Sequence, residues 1–129
     1  MKMNPVVHFE MPYTNNKRVA KFYENVFGWG MQYLPKMGSY VLATTSPVDK
    51  KGMHKNSGAI NGGFYPKSKD DAVPHLVISV DNLKKHMAAV KQAGGKIIGK
   101  PVDIPGVGKF VMFRDSERNK VGMLQASPM

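Results

Sequence analysis

His8 and His75 each stand at the opening of a short apolar stretch, and Glu10 follows the first histidine at the same parity. An imidazole can hold a divalent ion or hydrogen-bond a substrate carbonyl near neutral pH. Two residues apart along a strand means the same face. Glu10 is therefore placed to complete a two-histidine, one-carboxylate metal set with His8 and His75, or to act as general base near a bound carbonyl compound. Its competing role is structural, an ion pair with one of the many lysines or arginines, because an inward carboxylate without a partner is costly. For the histidines the competing role is a hydrogen bond to a neighbour. The chain has no cysteine, which removes disulfides, thiolate catalysis and thiolate metal sites and leaves histidine, carboxylate and amide as ligands.

A second group of residues is suited to binding. Asn61 with Gly62 and Gly63 can present an amide and an open backbone edge to a ligand, although a β-bulge needs glycine as much. Trp29, Met31 and Tyr33 alternate along one stretch and can form an adaptable apolar wall around a ligand, or simply pack a core. His86 falls on the inner stripe of a helix, the usual place of a satisfied core histidine, and His54 sits in a lysine-rich stretch open to solvent.

These residues are positioned by a pattern stated twice. Shifting 74–95 onto the chain 67 positions upstream puts His75 on His8, Asn82 on Asn15, Lys84 on Lys17, Lys85 on Arg18, and Gly94 and Gly95 on Phe27 and Gly28. The shared plan is an apolar strand opened by His, a turn of Asp or Asn, a basic amphipathic helix and a glycine stop. In the first half, 6–11 reads as a strand closed by Pro12, and Asn15 or Asn16 caps a helix. Its stripe is Val19, Phe22, Tyr23 and Val26, with Gly28 ending it. Strands follow at 29–34, 40–45 and 59–65. In the second half a strand at 74–80 and a cap at Asp81 or Asn82 lead into a helix with Leu83, His86, Met87 and Val90 inward. Strands at 96–100, 108–114 and 120–125 complete it. The polar stretch 46–57 is longer than a hairpin needs, so it is either mobile surface or a lid over a site. Residues 66–72 link the halves.

The class is thus α+β, two βαβββ modules forming an eight-stranded curved sheet or cup with the helices outside, and residues with the parity of His8 and His75 lining the concave face. At 129 residues the chain fits a single domain, module one being 1–67 and module two 68–129. No window approaches the run of ~18 apolar residues that a membrane helix needs. The N-terminus lacks the pattern of a secretory signal, so a cytoplasmic setting is expected. A net charge of +10 raises a polyanionic partner. The basic residues are scattered, however, and the one cluster, Lys50, Lys51, His54 and Lys55, has no interleaved aromatics, which favours a solvated surface over a nucleic-acid-binding module.

The chain resembles the vicinal oxygen chelate superfamily of glyoxalase I, bleomycin resistance proteins and extradiol dioxygenases over its whole length. The resemblance is carried by VHFEMP at 7–12, KFYENVFGW at 21–29, INGGFYP at 60–66, ISVDNL at 78–83, PGVGKF at 105–110 and RDSERNKVGMLQ at 114–125. It implies a small oxygenated ligand held in the cup and a homodimer. In metal-dependent members it implies one divalent ion, Ni, Zn, Mn or Fe, on four ligands, usually His, Glu, His, Glu. His8 and His75 match the first and third, while Asn61 and Gly122 stand where the two glutamates would be. Two readings follow. One is a glyoxalase-like (lactoylglutathione lyase) or dioxygenase-like enzyme with His8, Glu10 and His75 at the reacting oxygen and Asn61 orienting it. The other is a metal-free domain that sequesters a small molecule, as bleomycin resistance relatives do.

Overall fold

The computed structural model describes residues 2–51 and 58–127. His54 and the later part of the 46–57 loop, with its proposed lid role, lie outside the described residues. Ten elements are formed: β1 (Val6–Tyr13), α1 (Asn16–Phe27), β2 (Gly30–Leu34), β3 (Tyr40–Thr44), β4 (Asn61–Pro66), β5 (His75–Ser79), α2 (Leu83–Gln92), β6 (Lys96–Ile104), β7 (Gly108–Arg114) and β8 (Lys120–Ala126). They build two compact units, His8–Pro74 in one, His75–Met129 with Met1–Val7 in the other. The α+β class and both βαβββ modules are as the sequence pattern requires.

In the first unit the strand order is β2-β3-β4-β1, antiparallel except for the parallel pair of β1 with β4. α1 begins where Asn15 turns its side-chain oxygen back to accept the Arg18 N–H at 2.9 Å, and it ends where Gly28 adopts φ 72°, a conformation that costs glycine nothing. Val19 and Tyr23, with Phe9, Met11, Tyr13, Trp29 and Met31, then pack against Val41, Ala43 and Phe64. Fully burying Val41 and Phe64 is worth roughly 1.5–3 kcal/mol each. The expected four-residue stripe is only half covered, since Phe22 and Val26 of the same helix are exposed.

The second unit repeats the order as β6-β7-β8-β5, again with only its β5–β8 pair parallel. Asn82 caps α2 through the Lys85 N–H at 3.0 Å, the counterpart of Asn15. Leu83, with Met87 and Val90, packs on Val80, Val111, Phe113 and Met123. The N-terminal residues join this unit: the Pro5 carbonyl accepts the Ser79 N–H at 2.9 Å, and Lys2 pairs with Asp81 at 2.7 Å.

Two strands run two or more residues past the ends the sequence pattern gives them. β1 continues through Pro12, because the Tyr13 carbonyl accepts the Lys67 N–H and so turns the odd-numbered peptides toward β4, leaving the donor that proline lacks off that ladder. β6 runs on to Ile104 by shifting register between Ile98 and Val102, where Gly99 takes φ 70°. Among the described residues no helix is long and apolar enough to cross a membrane.

Candidate functional site

Because Phe9 and Met11 pack under α1, His8 and Glu10 point from the opposite face of β1. The β1–β4 register sets Asn61 beside His8 and Gly63 beside Glu10, and Leu42 of β3 pairs with Gly63 from the far side. Tyr40, two residues before Leu42, shares this face. Its side chain crosses β4 directly above Gly63, where an added Cβ would collide with the phenol. Only glycine leaves that path open. On the other face Gly62 leaves the same room for the Phe9 ring. The paired glycines therefore serve close approach on both faces, and the unbroken β4 register shows no bulge there.

Having crossed β4, the Tyr40 hydroxyl lies 2.8 Å from His8 Nε2. It is also hydrogen-bonded to the Glu10 carboxylate, and burial, with that carboxylate's charge and hydrogen bond, pushes the phenol far above its ordinary range. A neutral phenol beside a carboxylate donates its proton to it, so the ring nitrogen of His8 must donate to the phenol oxygen in turn. The result is a directed relay, His8 to Tyr40 to Glu10, on a part-buried surface. Tyr65, also on this face of β4, donates to the Val73 carbonyl at 2.6 Å. Its pKa is pushed up to about 12 by burial, then by the charges of Asp71 and Glu10.

The relay contains two residues named by the sequence, His8 and Glu10, and one that sequence reasoning missed, Tyr40. The Gly-Gly pair was the available signal, but the partner that needed the space lay on β3. Asn61 is adjacent on β4, and its side-chain oxygen accepts the Thr45 N–H at 2.8 Å while the Thr45 hydroxyl bonds the Ile60 carbonyl at 2.5 Å. That clasp ties the end of β3 to the start of β4. Trp29 and Tyr33 are not brought to this face. The indole stacks on Tyr23 at 4.7 Å and lies 5.6 Å from Phe9, inside the α1 core, and Tyr33 shares its parity along β2 and is 45% exposed. Trp29 packs under the helix, while Tyr33 stands exposed.

His75 lies in the other unit. It is buried at the start of β5, with Val77 following at the same parity on the face turned away from α2. Gly122 pairs with Val77, and a Cβ there would come within 2.7 Å of the Phe110 ring. Phe110 thus covers Gly122 as Tyr40 covers Gly63. His86 is satisfied structurally, with Nε2 3.2 Å from the Asn4 side chain.

These registers revise one equivalence between the modules. Glu10 pairs with Gly63 and Val77 with Gly122, so the counterpart of Gly122 is Gly63; two residues earlier, the counterpart of Asn61 is Lys120. Neither pair holds a carboxylate. Among the described residues no three His, Asp, Glu or Cys side chains form a group that could hold a metal ion, and His8 already directs a ring nitrogen to a phenol. The donor set does not fit the four-ligand centre.

Two βαβββ units share one topology, each with a parallel first-to-last strand pair. The chain belongs to the Glyoxalase/Bleomycin resistance protein/Dioxygenase superfamily, whose model matches residues 6–123. It is 34% identical over 115 residues, 85% of this chain and 84% of the other, to a glyoxylase-like domain-containing protein of Didymella fabae. A hypothetical protein from Bacillus halodurans shares the fold at TM-score 0.69 and 18% identity, covering 99% of this chain and 98% of that one. Streptomyces coelicolor methylmalonyl-CoA epimerase in complex with 2-nitronate-propionyl-CoA shares it at TM-score 0.70 and 9% identity, covering 98% and 100%. The chain is a glyoxalase-like domain of this superfamily.

Proposed function

We propose that this domain binds a small oxygenated molecule on the face that carries His8, Tyr40 and Glu10, and holds it by hydrogen bonds from side chains. The observation that carries the reading is the Tyr40 hydroxyl, 2.8 Å from His8 Nε2 and bonded to Glu10. Two donors and one acceptor are already aligned there. A ligand carbonyl entering the relay accepts from His8 or Tyr40, and the displaced Glu10 carboxylate is left beside the carbon next to that carbonyl, where it can take up a proton. The epimerase in complex with 2-nitronate-propionyl-CoA supports an oxygenated organic ligand for the fold. A divalent ion in this site would compete with Tyr40 for His8 Nε2 and need further ligands beyond Glu10, which makes a Ni, Zn, Mn or Fe centre the weaker reading.

The test is ligand-observed NMR with a panel of small keto acids, hydroxycarbonyl compounds and acyl thioesters. Hits that bind the wild type and are weakened about tenfold or more by Glu10→Gln and by Tyr40→Phe support the reading. Hits that bind both variants as they bind the wild type overturn it.

A further inference from the structure

Within the second unit, one row of side chains is cationic from strand to strand. Lys96 of β6 pairs with Arg114 of β7, and Arg114 pairs with Lys120 of β8. Residues paired directly across strands share a face. Their neighbours along each strand, Ile97, Phe113 and Val121, belong to the core that packs on α2, so the three cations stand on the side turned away from that helix. His75 is on this side too. It lies two residues before Val77, as Lys120 lies two before Gly122, and so ends the row on β5.

This arrangement works against the fold. Like charges directly opposite one another are destabilising, and Arg114 has one on each side. No carboxylate of the sheet offsets them: the one acid in the four strands, Asp103, stands opposite Lys109 on the helix side. Asp115, next along from Arg114, is taken up by the Glu117 and Asn119 N–H groups and the Asn119 amide. Among the described residues neither Lys96 nor Arg114 has an ion pair. A lysine on the edge strand β6 is an ordinary guard against edge pairing. Arg114 and Lys120, however, lie on inner strands and are half-buried. Arg114 is also held in place, since its Nη1 donates to the Arg118 carbonyl at 3.0 Å, which leaves the remaining N–H groups of the guanidinium for a ligand.

The next row along the same face is apolar. It runs Ile98, Met112, Gly122 and Val77, with Phe110 lying over Gly122 and Leu124 opposite Phe110. Ile98, Met112, Phe110 and Leu124 are all half-buried and keep some surface open. We propose that the second unit carries an anion site: the carboxylate or phosphate of a small organic acid lies on Lys96, Arg114 and Lys120, and its apolar part lies on Ile98, Met112 and Phe110. The oxyanion accepts from the guanidinium fork and replaces repulsion along the row with attraction on both sides. Every residue of the site belongs to one unit, so the proposal stands or falls apart from the ligand reading for the face that carries His8.

Calorimetric titration of the full chain at low salt tests it, with hexanoate and hexyl phosphate as probes and hexanamide as the neutral counterpart. The acids are expected to bind, hexanamide about tenfold more weakly or less, and added salt should weaken the acids. If one acid alone binds, the site stands and that headgroup is its ligand. Lys96→Gln and Arg114→Gln should each weaken the acids about tenfold. Lys96→Gln should also leave the melting temperature of the free protein unchanged or higher, because it removes a like-charge neighbour, whereas a residue kept for stability would lower it. Lys85→Gln removes the same charge from α2, on the other side of the sheet, and should bind as the wild type does. No binding of either acid, hexanamide binding as tightly as hexanoate, an equal loss in Lys85→Gln, or unchanged binding in both row variants would each overturn the proposal.

Discussion

Tyr40 depends on an absent side chain. Its path to His8 and Glu10 exists because Gly63 has no Cβ, so Gly63→Ala must push the phenol off the sheet or the strands apart. The expected loss is roughly 1–3 kcal/mol of stability, read by denaturant unfolding, together with the loss of any ligand that Tyr40→Phe also loses. Gly62→Ala is the matched control. It crowds Phe9 on the helix face and should destabilise comparably while sparing the ligand. Equal binding losses in both glycine variants would mean that the sheet as a whole is at stake and the relay is not special. The two tyrosines of this face also predict a pH response. The folded state keeps protons on Tyr40 and Tyr65 at a pH where the unfolded chain, with tyrosine pKa near 10, has lost them. Their contribution is complete below about pH 10 and falls as the pH rises toward the Tyr65 value of about 12. Absorbance titration of phenolate should show Tyr65 ionising near 12 and Tyr40 only with unfolding; early ionisation of both would refute the burial argument.

At the scale of elements, the features that the sequence displayed best are those fixed within a few residues. Asn15 and Asn82 were each legible as one of two adjacent cap candidates, and Gly28 as a stop, because each acts on its own helix end. Asn15→Ala and Asn82→Ala should each cost about 1 kcal/mol, measured as a shift in denaturation midpoint with unchanged slope; no shift would leave the caps without energetic weight. The features that escaped depend on partners far along the chain. Tyr40 meets β1 only through the register of β3 on β4 and of β4 on β1, and no window of the sequence contains all three. The packing of Trp29 under α1 was hidden in the same way, since alternation shows which residues share a face but not which face the helix covers. The amphipathic stripe of α1 was legible too, yet which half of it the sheet buries was not.

For the whole molecule, the question is what a repeated module does where the positions matching metal ligands hold no carboxylate. Strand pairing answers it twice in the same way: Gly63 with Tyr40 across it, Gly122 with Phe110 across it. An aromatic ring now occupies the space a side chain at either glycine would need. The histidines that resemble ligands were legible in the sequence, as was the lack of a carboxylate at Asn61 and Gly122. The ring lying across each glycine was not, and a side chain placed at Gly63 or Gly122 would meet it. Protein purified without an affinity tag or chelator is therefore expected to contain no stoichiometric metal, and nickel, zinc, manganese or iron(II) titrated into it should not bind tightly. Gly122→Glu should leave that result unchanged and lower stability by roughly 1–3 kcal/mol, because the new side chain meets Phe110. One equivalent of metal in the wild type, lost in His8→Ala, would show that the Tyr40 relay opens to admit an ion, and would move the protein to the metal-dependent branch of its superfamily.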